Sequence, residues 1–234
     1  MSTQAAPQGD AAKDPAGRPV RGRPARYTQD DLVEVVARVF NERGYEAASM
    51  ADLARASGLT KSAFYHHVTG KEQLLRLAVH RALNALAGVF EEERQVEHRP
   101  VDRLERVLTR TTQVLIAELP YVTLLLRVRG NTEVEREVVA RRRAFDARLA
   151  RLVQDAMDAG EIRADVEPRL VTRLLFGMVN SITEWYRPDA HPIEHPADPH
   201  PAPAPGPTAD GTADGAVVRA VVELALDGLR ARRA

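Results

Sequence analysis

The chain reads as an all-α protein, and three observations predict it. Apolar residues recur at three- and four-residue intervals in one segment after another, the spacing of a single helix face. No segment alternates apolar and polar residues between turn signals, as a half-buried strand would. Aromatic residues are only 5% of a chain that is 44% hydrophobic, so the core has to be built mainly of Leu, Val and Ala, which suits packed helices. About nine or ten helices are expected. They divide into an N-terminal three-helix unit with helix-turn-helix spacing and a larger helical body.

Residues 1–26 are rich in Ala, Pro, Gly, Gln and Arg and lack hydrophobic periodicity. They cannot bury enough apolar surface to offset ordering, and a disordered basic arm is expected. Residues 27–72 form the first unit. Thr28 with Asp31 reads as a capping box, and Leu32, Val35, Val36, Val39 and Phe40 make the apolar face behind it. Gly44 ends that helix. Ser49 with Asp52 repeats the cap, with Met50, Leu53 and Ala54 turned inward. A tight Ser57-Gly58-Leu59 turn follows, and Thr60 caps a third helix carrying Ala63, Phe64 and Tyr65. Thr69-Gly70-Lys71-Glu72 opens a long fourth helix running to Phe90.

The body, residues 73–234, continues the pattern. Pro100 punctuates the chain, Pro120 and Gly130-Asn131 interrupt it, and a long amphipathic helix is expected from Thr132 to Ala159, ended by Gly160. Pro168 sits at a helix start, followed by an apolar segment from Leu170 to Tyr186. Arg187 to Gly215 holds eight prolines and three histidines, so 188–214 is expected to be a disordered loop. The last helix, Ala216 to about Arg230, is too apolar to stand alone. It and Leu170–Tyr186 are apolar on more than one face, as expected of helices that pack both on their own body and on a second copy.

Charge is balanced overall, with 33 basic and 33 acidic residues, but unevenly distributed. Arg18 to Lys71 carries nine Lys+Arg against six Asp+Glu, 9 − 6 = +3, and the acids lie further along. One nucleic-acid-facing region on a neutral or acidic body fits this asymmetry. With no cysteine, disulfides, zinc-thiolate sites and thiol catalysis are excluded. No apolar run approaches the ~18 residues of a membrane span and no secretory signal core is visible, so a cytoplasmic, nucleoid-associated location is expected.

The third helix is the chemical focus. A recognition helix reads base edges with its first turn while flanking groups hold phosphates. Here the first turn offers Thr60, Lys61, Ser62 and Ala63. Lys61 can reach a guanine edge or a phosphate, and Ala63 is small enough to meet a thymine methyl. Tyr65, His67 and Lys71 are read as phosphate contacts, with His66 and Ser49 beside them. Phe64 is read as core.

The run from Gly58 to Leu75, GLTKSAFYHHVTGKEQLL, resembles the signature of TetR-family transcriptional regulators, G-x-S-x-G-T-[LI]-Y-x-H-F-x-x-K-x-x-L. With its flanking helices the resemblance covers about residues 26–76. It implies an all-α homodimeric regulator of double-stranded DNA, usually a repressor, with a ligand-binding and dimerisation body. By position it implies that Tyr65, His67 and Lys71 clamp phosphates and that Lys61 and Ser62 face bases. Ala63 stands where Thr is usual, which removes a hydroxyl contact to the backbone. Val68 stands where Phe is usual, a packing change. Arg21, Arg23 and Arg26 resemble a basic arm that enters a minor groove; a solubilising tail is the equal alternative.

In the body, Leu124 to Val153 and Leu174 to Pro188 are similar to a branch of actinobacterial regulators of this family that govern catabolism of fatty acids, steroid rings or aromatic acids, several of them sensing acyl-CoA thioesters. Such a ligand needs an apolar slot and cations. Tyr121, Leu125, Leu126, Phe145, Leu149, Phe176, Met178 and Trp185 are candidates for the slot. Arg127, Arg129 and the Arg141-Arg142-Arg143 cluster are candidates for the charge, and Asn180 and Ser181 for polar orientation. The competing reading of these residues is plain core, with some of the arginines pairing with Glu137 or Asp146 on a solvated face.

No nucleophile elbow, P-loop or zinc-protease motif occurs, so an enzyme is not expected, and no cofactor beyond a small-molecule effector is. His191, His195 and His200 match no compact metal site. The reading is therefore a ligand-responsive regulator, with a constitutive architectural DNA binder as the alternative; a large internal cavity separates the two.

Overall fold

The computed structural model describes residues 28–93, 98–187 and 213–230. Among them are nine α-helices: α1 (Gln29–Arg43), α2 (Met50–Ala56), α3 (Lys61–His67), α4 (Lys71–Glu93), α5 (Pro100–Ala117), α6 (Leu119–Arg127), α7 (Glu133–Asp158), α8 (Pro168–Trp185) and α9 (Ala213–Leu229). The only β-type pairing among the described residues is a bridge between Ile162 and Arg230. The expected disordered arm 1–26 lies outside the described residues. So does the expected loop 188–214, except its last two positions, which belong to α9.

The N-terminal unit forms where its local signals put it. Thr28 caps α1 and Ser49 caps α2, each completing a capping box with Asp31 and Asp52. Thr60 Oγ1 accepts from the Ala63 N–H at 3.2 Å to start α3. Between α2 and α3, Gly58 takes φ 65°, a conformation that costs a side-chain-bearing residue 1–2 kcal/mol or so. That turn lets the Leu59 N–H reach Ala54 O and the Gly58 N–H reach Arg55 O, both at 3.1 Å, so the orphan carbonyls of α2 are satisfied while the chain reverses. Leu32, Val36 and Phe40 of α1 meet Leu53 of α2, Phe64 of α3 and Leu74 of α4 in one buried cluster. Truncating a residue such as Phe64 there costs about 3–5 kcal/mol.

The body stacks α5 and α7 against α4 and α8 against α7, with α9 across α5 and α8, and α6 between α4 and the DNA-side helix α1. Pro100 and Pro168 occupy first-turn positions of α5 and α8, where a missing N–H costs nothing. Pro120 in the first turn of α6 separates it from α5. Glu135 anchors the link from α6 to α7: its Oε2 accepts from the main-chain N–H groups of Arg129, Gly130 and Asn131 at 2.9–3.2 Å. Glu93, buried at the end of α4, pairs with Arg103 of α5. The final helix starts at Ala213, three residues before the expected Ala216. The Tyr186 hydroxyl donates to the Asp214 carboxylate, a tertiary tie that holds the extra turn.

Candidate nucleic-acid interface and effector cavity

The face carrying α3 is polar and open. Thr60, Lys61, Ser62, Tyr65 and His66 are exposed, Ala63 is half-buried, and Phe64 is fully buried beneath them. Tyr65 is 46% exposed although it is one of the larger apolar side chains, which leaves its ring and hydroxyl for a partner. His67 is the last residue of α3. Arg21, Arg23 and Arg26 lie outside the described residues. Two of the proposed contacts are already engaged within the protein. The Ser49 hydroxyl donates to Asp52 Oδ2 at 2.6 Å and accepts from the Asp52 N–H, so its first duty is to cap α2. Lys71 Nζ donates to Tyr45 O at 2.8 Å and Glu46 O at 3.2 Å, and lies 4.5 Å from the Tyr45 ring centroid. This lysine ties the start of α4 to the loop before α2, and thereby holds the helix-turn-helix in register.

Beneath, the body carries a deep pocket that opens to solvent on one side. A cavity of about 860 Å³ lies among α4, α5, α6, α7 and α8. Its buried floor is Leu83, Thr111, Leu115, Val122 and Leu125, with Phe145 and Phe176 on one wall. The two rings stack obliquely at 5.6 Å, and Phe90 meets Phe145 edge-on at 4.8 Å. Around the cavity stand six arginines, Arg141, Arg142, Arg143, Arg148, Arg169 and Arg173, against one acid, Asp146, a balance of 6 − 1 = +5. Burial lowers the pKa of the Arg142 guanidinium, opposed by nearby Asp146. Asp146 meets solvent on its outer side, yet desolvation still raises its carboxyl, with Arg142 and Arg173 acting the other way. Two of the six are already paired, Arg141 with Glu137 at 4.0 Å and Arg148 with Glu91 at 3.6 Å, and the others leave the rim positive toward an incoming anion.

Of the sequence-proposed cavity residues, Leu125, Leu126, Arg141, Arg142, Arg143, Phe145, Phe176 and Asn180 do line it. The others lie elsewhere, for identifiable reasons. Tyr121 is buried with its ring under the Arg81 guanidinium, 4.4 Å away, and Arg81 is held in turn by Glu118 at 2.6 Å. Arg127 donates to Asn41 O on α1. The Arg129 side chain is exposed beside the loop that Glu135 anchors. Leu149 is core. Met178 and Trp185 are exposed and fall, with Leu170 and Leu174, on one outward stripe of α8. Ser181 Oγ bonds back to Met178 O. Arg141 lies 4.0 Å from Glu137, the surface pairing foreseen for part of the arginine cluster. The sequence reading missed Arg148, Arg169 and Arg173, which read as ordinary solvated helix faces, and Thr111, which carries no signal at all.

A helix-turn-helix with an open polar first turn, set on a helical body with a cation-rimmed cavity, is the architecture of a transcriptional regulator. The comparisons agree. Residues 32–78 match the model of bacterial regulatory proteins of the tetR family, and residues 97–191 that of the tetracyclin repressor-like C-terminal domain. The crystal structure of SCO3833, a TetR-family member from Streptomyces coelicolor A3, is 49% identical over 91% of this chain and 97% of its own, with a TM-score of 0.73. The HTH-type transcriptional repressor KstR2 of Mycolicibacterium smegmatis is 24% identical, covering 68% of this chain and 80% of its own length. AibR, solved with isovaleryl coenzyme A and operator DNA, is 24% identical over 84% of this chain and 96% of its own, TM-score 0.64, a likeness of fold. The chain belongs to the TetR family of transcriptional regulators, DNA-binding proteins rather than enzymes. No described helix is long and apolar enough to cross a membrane.

Proposed function

We propose that the protein is a cytoplasmic repressor that binds a palindromic operator as a homodimer and is released by an anionic amphiphile of the acyl-CoA type. The domain division follows that reading: residues 27–72 hold DNA, and residues 73–234 bind effector and partner copy. One observation carries the effector: the cavity joins a buried apolar floor to six arginines and a single acid. Its volume lies in the range of small-molecule sites, roughly 300–1,000 Å³. An architectural DNA binder has no use for such a hollow. Isovaleryl coenzyme A is what AibR binds, and the charge pattern here suits the same chemical class.

The route to DNA runs through α4 and α6. Helix α4 begins at the recognition unit and supplies Leu83, Leu86 and Ala87 to the cavity. Helix α6 supplies Val122, Leu125 and Leu126, while Asn41 of α1 donates to Pro120 O at 2.7 Å. An effector that prefers a displaced α4 and α6 withdraws α3 from operator spacing; equal affinity for both states shifts nothing. The dimer reading rests on Leu170, Leu174, Met178 and Trp185 of α8 and Leu224 of α9, all exposed. Calorimetric titration with acyl-CoAs, set against neutral alcohols and cationic amphiphiles of matched length, tests the effector class. Binding confined to the anions supports it. Equal binding of all three, or of the cations alone, contradicts it.

A further inference from the structure

The Glu137 carboxylate of α7 is the meeting point of three basic side chains from two helices. It lies 3.6 Å from Arg76 Nη1 and 3.3 Å from His80 Nε2, both on α4, and 4.0 Å from Arg141 Nη1, one turn further along α7. Arg141 lines the effector cavity, whereas Arg76 and His80 lie outside it. His80 Nε2 is shut off from solvent, makes no hydrogen bond, and faces this carboxylate. On α4, Arg76 and His80 fall between two functional points. Lys71, before them, ties the start of the helix to the Tyr45 and Glu46 carbonyls; Leu83, after them, is the first α4 residue in the cavity wall. One carboxylate thus meets the cavity rim on one side and, on the other, the stretch of α4 next to the recognition unit.

We propose that Glu137 is the positioning residue through which charge in the cavity acts on α4. This rests on the effector reading above and names a route from that site to DNA, separate from α6. With the cavity empty, the carboxylate is shared between Arg141 and the α4 pair. An anion that draws Arg141 leaves Glu137 to Arg76 and His80 alone, and the forces on α4 change where it leaves the recognition unit. Exposed ion pairs are weak one by one. Here they share a single acceptor, so they respond together, and allosteric coupling typically amounts to only about 5–150-fold.

The test follows two quantities on the full-length protein. The probe is the tightest binder in a butyryl- to dodecanoyl-CoA series. Its affinity without DNA is read by calorimetry. The release ratio, operator dissociation constant with saturating probe over that without, is read by anisotropy at fixed salt and pH. Glu137 is exposed, so Glu137→Gln removes the charge and leaves the core intact. It frees Arg141, so the probe is expected to bind at least as tightly as to wild type, while the release ratio falls about threefold. A folding defect would weaken both. The pair Arg76→Gln and His80→Gln changes no cavity residue. It is expected to keep the wild-type probe affinity and to lower the ratio as Glu137→Gln does, and adding it to Glu137→Gln lowers the ratio no further. A wild-type ratio in Glu137→Gln, weakened probe binding in that variant, or losses that add when the changes are combined overturns the assignment and leaves the acyl-CoA reading standing. If no acyl-CoA in the series binds wild type and releases its operator, that reading fails and this one with it.

Discussion

The Arg142 guanidinium, a cavity-lining group on α7, donates to the main-chain carbonyl of Leu125 near the end of α6 at 3.3 Å. Two residues on, Arg127 donates to Asn41 O of α1. Cavity and recognition unit thus grip the same short helix from its two sides. On the proposed effector reading, an anion that captures Arg142 is expected to free the Leu125 carbonyl and loosen α6 toward α1. Arg142→Met frees the same carbonyl without any effector, so it is expected to lower unliganded operator affinity while weakening effector binding at least about tenfold. Anisotropy of a labelled operator, with and without acyl-CoA, reads both. Full release by effector in this variant would remove Arg142 from the mechanism.

On the DNA face, exposure and internal bonding give different expectations for Tyr65, Lys61 and Lys71. Tyr65→Phe removes only a hydroxyl from an exposed ring and should weaken operator binding several-fold, about 1 kcal/mol, with no change in melting temperature. Lys61→Ala should lower the salt dependence by about 0.9 in log–log slope if the ammonium meets phosphate, or flatten base preference if it meets a guanine. Lys71 is bonded to the Tyr45 and Glu46 carbonyls, so Lys71→Ala should lower stability by about 1–2 kcal/mol as well as operator affinity. Unchanged melting of Lys71→Ala, measured by calorimetry, would contradict that bracing role.

Leu174 is 63% exposed in the middle of the α8 stripe and Leu224 is 68% exposed on α9. Leu174→Asp should give a folded monomer by light scattering and cost at least about tenfold in operator affinity, since two half-sites are no longer read together. A dimeric Leu174→Asp protein would place the interface elsewhere.

The carboxyls of Asp31 and Asp52 are held below the ordinary aspartate range, chiefly by the side-chain hydrogen bonds from Thr28 and Ser49 and next by their main-chain N–H groups. A depressed folded-state value means that the cap stabilisation is complete above the unfolded value, about pH 4, and is lost as pH falls through the lower folded value. Hydrogen exchange at the Thr28 and Ser49 amides should therefore quicken as pH drops below about 4, after correction for intrinsic rates. Protection unchanged to pH ~2 would contradict the capping account.

Much of this was legible because it is local. Caps, turn glycines and first-turn prolines act within four residues of themselves, so Thr28, Ser49, Gly58, Pro100 and Pro168 announced their elements. The cavity was half legible for the opposite reason. Helix α8 is apolar on both sides, and periodicity alone does not tell the wall bearing Phe176 from the outer stripe bearing Met178 and Trp185. Tyr121 left the slot because Arg81, forty positions earlier, covers its ring. Thr111 lines the pocket without any sequence signal, since a threonine in an amphipathic helix carries no pattern of its own.

The central claim is that occupancy of the cavity releases DNA, and Gly177 offers the most direct test. It lines the cavity, and a Cβ built on it meets nothing within 4 Å, so a side chain can be started there without a clash. The decisive measurement is the release of a labelled operator by a medium-chain acyl-CoA from wild type and from Gly177→Leu, at fixed salt. The account predicts release from wild type at saturating acyl-CoA, and a Gly177→Leu protein that holds the operator but needs at least about tenfold more acyl-CoA to let go. A wild-type complex that no acyl-CoA dissociates, or a Gly177→Leu complex that dissociates as readily as wild type, would contradict it.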